Sequence, residues 1–138
     1  MIKRENNRQS GFTLIELLIV MAILALLAGL VGPTLWNKLA GAKTDTAATQ
    51  IKSFEAALDS YRLDIGKYPK EIQDLVKNSS GKSRWNGPYI KKIPLDPWGN
   101  DYQYQKPGRH NKDYDLYSYG ADGQEGGEEA EDKDVTNW

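Results

Sequence analysis

From Phe12 to Val31 the chain is apolar at every position except Thr13, Glu16 and Gly29, and this run constrains all that follows. With its flanks it is long enough to cross a bilayer core of about 30 Å. The residues before it, Met1 to Gly11, are polar and carry Lys3, Arg4 and Arg8 against the single acid Glu5. Basic residues ahead of an apolar span hold that end in the cytoplasm. Everything beyond Trp36 is hydrophilic, so the remainder reads as a water-soluble body exported to the far side. An ordinary secretory signal peptide is the competing reading, and Ala40-Gly41-Ala42 has the small-residue form that its cleavage needs. That tripeptide stands too far beyond Val31, across Pro33, Trp36 and Lys38, to serve. A plain uncleaved anchor is a second competitor that hydropathy alone does not separate.

Glu16 separates them. An ionised carboxylate at the edge of the hydrocarbon costs on the order of 2–3 kcal/mol, so it calls for a partner. Cleavage after Gly11 supplies one, because Phe12 then begins the chain with a free amine. Phe12 and Glu16 are expected on one helix face, within reach of each other or of a neighbouring subunit. The sequence Gly11-Phe12-Thr13-Leu14-Ile15-Glu16, set between a basic leader and an apolar helix, resembles the processing signal of type IV pilins and pseudopilins. The resemblance implies that a membrane prepilin peptidase cuts after Gly11 and N-methylates Phe12. It also implies that Glu16 recruits each subunit into a filament.

Past the apolar run, Pro33 is expected to kink or loosen the helix. Trp36 fits an anchor at the membrane interface. Helical periodicity continues, with Ile51, Phe54, Leu58 and Tyr61 at spacings of three and four and Lys52, Glu55 and Asp59 between them. This stripe is expected to pack on a sheet. A helix from Phe12 to about Leu63 spans roughly 75 Å at 1.5 Å per residue. Asp64 to Pro69 then ends it. Ile72, Leu75 and Val76 mark a brief amphipathic piece, and Asn78 to Ser83 a polar loop. Tyr102 and Tyr104 alternate with polar residues, as do Tyr114 and Leu116, so each pair marks a short strand. Residues Lys106 to Lys112, with Pro107-Gly108, join the two strands as a hairpin. The fold class is α+β, a long N-terminal helix on a small antiparallel sheet. The expected organisation is a leader over 1–11, a transmembrane and assembly helix over 12–37, and a body over 38–138 with an acidic loop over 119–135.

Composition removes several functions. The net charge of −1 gives no nucleic-acid footprint, and the absence of Cys excludes disulfides and thiolate metal sites. His110 is the only histidine, and its place in the hairpin loop beside Arg109 and Lys112 suggests plain solvation. Ser79, Ser80 and Ser83 have no base near them in any motif, and the glycine-rich segment after Tyr119 lacks the Lys-Ser/Thr of a phosphate loop. The chain reads as a substrate of processing enzymes and not as an enzyme.

The body narrows the family. Gly66-Lys-Tyr-Pro69, Trp85 to Pro94, Asp96-Pro-Trp-Gly-Asn100 and Tyr114 to Gly123 together resemble the G-type major pseudopilin of type II secretion. The residues between Tyr119 and Val135 concentrate carboxylates and glycines. Such a composition suits a disordered acidic tail or a calcium loop, since Ca²⁺ takes six to eight oxygens in flexible geometry. The resemblance implies calcium, with Asp122, Asp132 and Asp134 and the carbonyls of Tyr119 and Val135 as candidate ligands, and with Glu131 an alternative to either later aspartate. Without a cation, mutual repulsion is expected to leave this loop open. The resemblance further implies a homopolymer assembled with minor pseudopilins by an inner-membrane platform and a secretion ATPase. The chain is then a single-pass protein of the bacterial inner membrane with its body in the periplasm. The competing functions are a type IV pilus subunit and a membrane-tethered periplasmic binding module.

Overall fold

The computed structural model describes residues 10–111 and 113–138. The leader charges Lys3, Arg4, Glu5 and Arg8, and Lys112 of the hairpin loop, lie outside the described residues. Two compact units emerge, one reaching to Asn37 and the other comprising Lys38–Trp138. A single helix, α1 (Leu14–Ile65), runs through the boundary between them and keeps Pro33 in its interior. The helix continues through Pro33, where a kink or loosening is the expectation, without ending there. Proline removes one backbone hydrogen bond, which a long helix survives as a local loss.

In the first unit every described residue is exposed, and the apolar window has a mean hydropathy of 2.9 with none of it buried. A stripe this apolar and this naked has no partner within its own unit. The segment is long and apolar enough to cross a membrane.

The second unit is built around the other half of α1. Ala47, Ile51, Phe54, Leu58 and Tyr61 are buried at spacings of four and three, which places them on one helix face. The four residues expected to form the stripe are all in the core. Beyond α1 come a short 3₁₀ turn, Ile72–Leu75, and three strands, β1 (Gln103–Gln105), β2 (Asp115–Ser118) and β3 (Val135–Thr136). They form an antiparallel sheet in the order β1-β2-β3, with Tyr104 opposite Leu116 and Ser118 opposite Val135. Leu116, Val135, Tyr102 and Tyr114 face the helix stripe and close the core with Tyr68 and Leu75. Phe54 meets Tyr102 edge-on at 5.2 Å, and Tyr68 meets Tyr114 at 4.8 Å, geometries that aromatic rings favour.

The family-like sequence segments each have a packing role. Gly66 ends α1 at φ +88°, its N–H donating to the carbonyl of Arg62, as a left-handed glycine cap does. The turn lets Tyr68 fold back on the helix, where its hydroxyl donates to Asp59 and accepts from Arg62. Trp85 donates its indole N–H to the carbonyl of Asp74. A Cβ on Gly87 would lie 2.5 Å from the Trp85 ring, so any side chain there would push the ring out of place. Tyr89 donates to Asp64 near the end of α1.

Two buried carboxylates organise the sheet, and simple alternation assigns neither of them to the interior. Asp115, on the face opposite Leu116, is 1% exposed because the hairpin loop folds over it. Its oxygens accept the amides of Arg109 (2.8 Å), His110 (3.1 Å) and Asn111 (2.8 Å). His110 is not simply solvated. Its Nδ1 lies 3.1 Å from Asp115 Oδ2, and its ring stacks at 4.1 Å on Trp138. The second carboxylate, Asp96, accepts the amides of Trp98 and Asn100 and the hydroxyl of Ser118 at 2.6 Å. It thereby ties the Asp-Pro-Trp-Gly-Asn turn to the end of β2. Strand β3 is an addition to the two strands that the sequence pattern marks, since two residues carry too little pattern to register as a strand.

Burial acts to raise the Asp115 pKa, but the amides of Asn111, Arg109 and His110, with the His110 ring, outweigh it and bring the value down to about 2. A folded-state value below the unfolded one means that the charged form is favoured by folding. This stabilisation is complete above the unfolded aspartate value and disappears as pH falls through the folded value. We predict that Asp115→Asn costs roughly 1–2 kcal/mol at neutral pH. In thermal melts the parent should lose this increment between about pH 4 and pH 2, and the variant should lack that component of the acid loss. Parallel acid profiles for parent and variant would refute this account of Asp115.

Candidate functional site

The helix start is built by a reciprocal cap. Thr13 lies just before α1, and its N–H donates to Glu16 Oε2 at 2.8 Å while the Glu16 N–H donates to Thr13 Oγ1 at 3.3 Å. This is the Ser/Thr-x-x-Glu capping box, which satisfies two otherwise unpaired amides at a helix N-terminus. The carboxylate also sits in the first turn, where the helix dipole favours negative charge. Glu16 therefore has a partner within its own chain, one that the Thr-x-x-Glu spacing ahead of an apolar run signals.

The cap changes one expectation. With Thr13 as the N-cap, Phe12 precedes the helix and does not share a helical face with Glu16 in the regular sense. Phe12 is 95% exposed, and Gly11 before it is exposed with open space around its Cα. The Gly11–Phe12 peptide is thus accessible. Phe12 and Glu16 nonetheless line one shallow concavity, together with Leu17, Ile19 and Val20.

The acidic loop is the second site. Its base is anchored by Asn100, whose amide nitrogen donates to the Gly120 carbonyl, and by Ser118, whose hydroxyl accepts the Gly120 N–H. Gly120 has φ +73°, and a Cβ there would lie 2.6 Å from the Glu131 carbonyl oxygen. The Ala121 N–H donates to that same carbonyl at 2.8 Å, which closes the loop on itself. Gly127, at φ +102°, approaches the Asp132 carbonyl so closely that a side chain would collide with it. These backbone contacts give the loop a folded course. Positive-φ glycines let the backbone close without drawing the acids together.

The five candidate ligands fall in different settings. Asp122 is exposed, with Oδ1 accepting the Gln124 N–H in a local turn. Asp134 accepts the Gly126 N–H through Oδ2 at 3.0 Å, while its Oδ1 is buried with no partner. Asp132 is half-buried at the approach of Gly127. Tyr119 is half-buried, its hydroxyl 3.4 Å from that of Tyr117. Val135 lies in β3 with its side chain in the core. Among the described residues no three carboxylate or imidazole side chains converge. Asp122, Asp132 and Asp134 are therefore not brought together. The candidate donors are all oxygens, and one of them, Asp134 Oδ1, is buried with nothing to satisfy it, which suits a hard cation.

Comparison with known proteins agrees with both ends of the molecule. Residues 34–138 match the family model described as type II secretion system protein G. Residues 6–32 match the prokaryotic N-terminal methylation motif. The type II secretion system core protein G of Pseudomonas aeruginosa is 46% identical, over 97% of this chain and 98% of its own length. The core protein G of Vibrio cholerae is 42% identical over 98% and 95%. Among solved structures, the major pseudopilin from the type 2 secretion system of enterohaemorrhagic Escherichia coli superposes with a TM-score of 0.62 at 33% identity, covering 77% of this chain and 95% of that one. The methylation motif heads an exposed apolar helix, so the chain is anchored in a membrane. On fold, motif and likeness over nearly its whole length, the chain belongs to the type II secretion system protein G family.

Proposed function

We propose that this chain is a structural subunit of the type II secretion pseudopilus, and that it polymerises into a periplasmic filament driving protein export across the outer membrane. It has no catalytic role of its own. The observation that carries the reading is the wholly exposed apolar first half of α1, which begins with a capped Glu16 directly after an accessible Gly11–Phe12 peptide. Apolar surface of this extent is stable only against lipid or against identical helices. A filament places it against the latter. Prepilin peptidase cleaves after Gly11 and methylates Phe12. The subunit then waits in the inner membrane with its body in the periplasm, until the assembly platform, driven by the secretion ATPase and with minor pseudopilins at the tip, adds it to the homopolymer.

Glu16 has two tasks in this scheme. Within the subunit it caps α1, and in the filament its charge meets the Phe12 amine of a neighbour. The two tasks separate by substitution. Glutamine also completes a capping box but carries no charge. We predict that Glu16→Gln and Glu16→Ala are both cleaved and inserted, and that neither yields filaments by electron microscopy. Filaments from Glu16→Gln at parental yield would show that the cap alone is what the position provides. Mass spectrometry of membrane-extracted parent should find a chain beginning at N-methyl-Phe12, and a bulky residue in place of Gly11 should leave the precursor intact. A mature chain beginning after Ala42 would overturn the proposal.

The acidic loop is proposed to hold calcium through Asp134, whose buried Oδ1 lacks a partner. Asp122, Asp132 and the carbonyls of Tyr119 and Val135 are the further candidate ligands. The ion would supply charge neutralisation to a segment with almost nothing apolar to bury. Binding to the folded state alone adds RT ln(1 + [L]/Kd), about 2.7 kcal/mol at a hundredfold excess of ligand over Kd. The expected outcome is a melting temperature several degrees lower in EGTA than in millimolar Ca²⁺. Asp134→Asn should abolish that difference. Identical curves for the parent in both buffers would return the loop to an acidic appendage held by its backbone alone.

A further inference from the structure

A basic pocket lies on the body, lined by residues that belong to neither site described above. It encloses about 260 Å³ beside the end of α1 and is lined by Lys67, Lys70, Lys82 and Lys106, with Tyr68 and Asp74. Lys67 and Lys82 also line an adjoining cavity that reaches Arg84, so the positive lining continues past the rim. Two of the ammonium groups are held in place by neutral partners, Lys82 by the Tyr61 hydroxyl at 2.7 Å and Lys106 by the Tyr68 carbonyl. Lys67 and Lys70 are exposed. Among the described residues none of the four lysines has a carboxylate within 4 Å, although Asp74 faces the same space.

Four like charges around one cavity repel one another, and the cost is visible on Lys106, which is half-buried. Burial, followed by the fields of Lys67 and Lys82, lowers the pKa of Lys106. A fold tolerates such a cluster readily where an anion completes it.

The chain itself carries the complementary group. Glu125, Glu128 and Glu129 stand exposed on the acidic loop, and among the described residues no ion pair engages them. Nor does any ion pair join this loop to the pocket of its own body. The cation proposed for the loop draws on Asp122, Asp132 and Asp134, so Glu128 and Glu129 stay free in its presence. An exposed ion pair adds little between two dilute molecules. Between subunits already held side by side in a filament, the effective concentration makes the same contact count at every repeat.

We infer that the Lys67–Lys70–Lys82–Lys106 pocket is a carboxylate socket, filled by the Glu125–Glu131 stretch of the acidic loop from a second copy of this chain. The inference rests on the filament reading, since only a polymer supplies the second copy at that density. Electrostatic pairing of this kind also fixes the register of the copies, because like charges meet in any other arrangement.

The test uses the full chain co-expressed with its assembly machinery, with filaments counted by electron microscopy. Lys67→Glu with Lys70→Glu, and separately Glu128→Lys with Glu129→Lys, should each lower filament yield about tenfold. The two pairs combined in one chain should restore most of it. Since the chain has no Cys, Lys70→Cys with Glu128→Cys should form a covalent ladder of dimers and higher species on mild oxidation. The ladder also decides the case if a charge-reversed variant melts early. Absence of filaments from the parent would remove the filament reading itself. Parental filaments joined by reversed variants of equal yield would overturn the socket alone. Loss in the lysine variant with no recovery in the combination, and no ladder, would mean that the pocket takes some other anion, and would also overturn it.

Discussion

A sheet of strands three, four and two residues long cannot stand alone. Strands this short bury too little surface against one another to offset the entropy of ordering them. The body exists because one stripe of α1, from Ala47 to Tyr61, offers the sheet an apolar face already fixed in space by its own helix. The chain has no disulfide to assist it. The remaining segments of the body can be understood as devices that hold the sheet in register on that stripe.

Those devices are largely polar. Asp96 gathers two amides and a hydroxyl, and Asp115 gathers three successive loop amides. A charged acceptor satisfied this way is stronger than a neutral one, and in an interior of low polarizability it restrains the backbone tightly. Tyrosines do similar work at the periphery of the core. Burial raises the pKa of Tyr104, whose hydroxyl stays protonated and donates to the Pro69 carbonyl. The hydroxyl of Tyr102 reaches Gln50 on α1 in the same manner. A body of modest size thus compensates for a thin apolar core with a dense set of directional bonds.

How far the sequence exposes this design depends on the length over which each signal is written. The stripe Ile51, Phe54, Leu58 and Tyr61 repeats across several turns and is plain to read. The glycine at the end of α1 and the turn around Pro107-Gly108 are local but chemically unambiguous. Asp115 is different, because alternation along β2 assigns it to solvent, and only the loop folding over it reverses that assignment. His110 follows Asp115 for the same reason. Strand β3 depends on pairing with a segment far away in the chain, and nothing in Val135-Thr136 announces that partner. In the acidic loop the acids are evident by composition, but their separation in space is a property of glycine conformations that composition does not encode. The Thr13–Glu16 cap was available from the spacing, yet the question posed by a carboxylate near lipid draws attention first to a cation.

The capping box gives the helix start a quiet resting condition. A lone carboxylate at the bilayer edge would be a reactive centre, attracting any passing cation, including a wrong one. Closed onto the amide of Thr13, the carboxylate has a donor at Oε2 and its geometry is fixed. On the filament reading proposed above, incorporation of a subunit would be an exchange of hydrogen-bond partners and not the creation of a bond from an unsatisfied state. Exchanges of that type have small net free-energy changes, because what is gained on one side is given up on the other. Their direction is set by whatever else changes at the same moment, here the apolar surface that neighbouring helices cover. On that reading the capped carboxylate keeps the chain inert while dispersed, and a subunit released from the filament would find the same partner again.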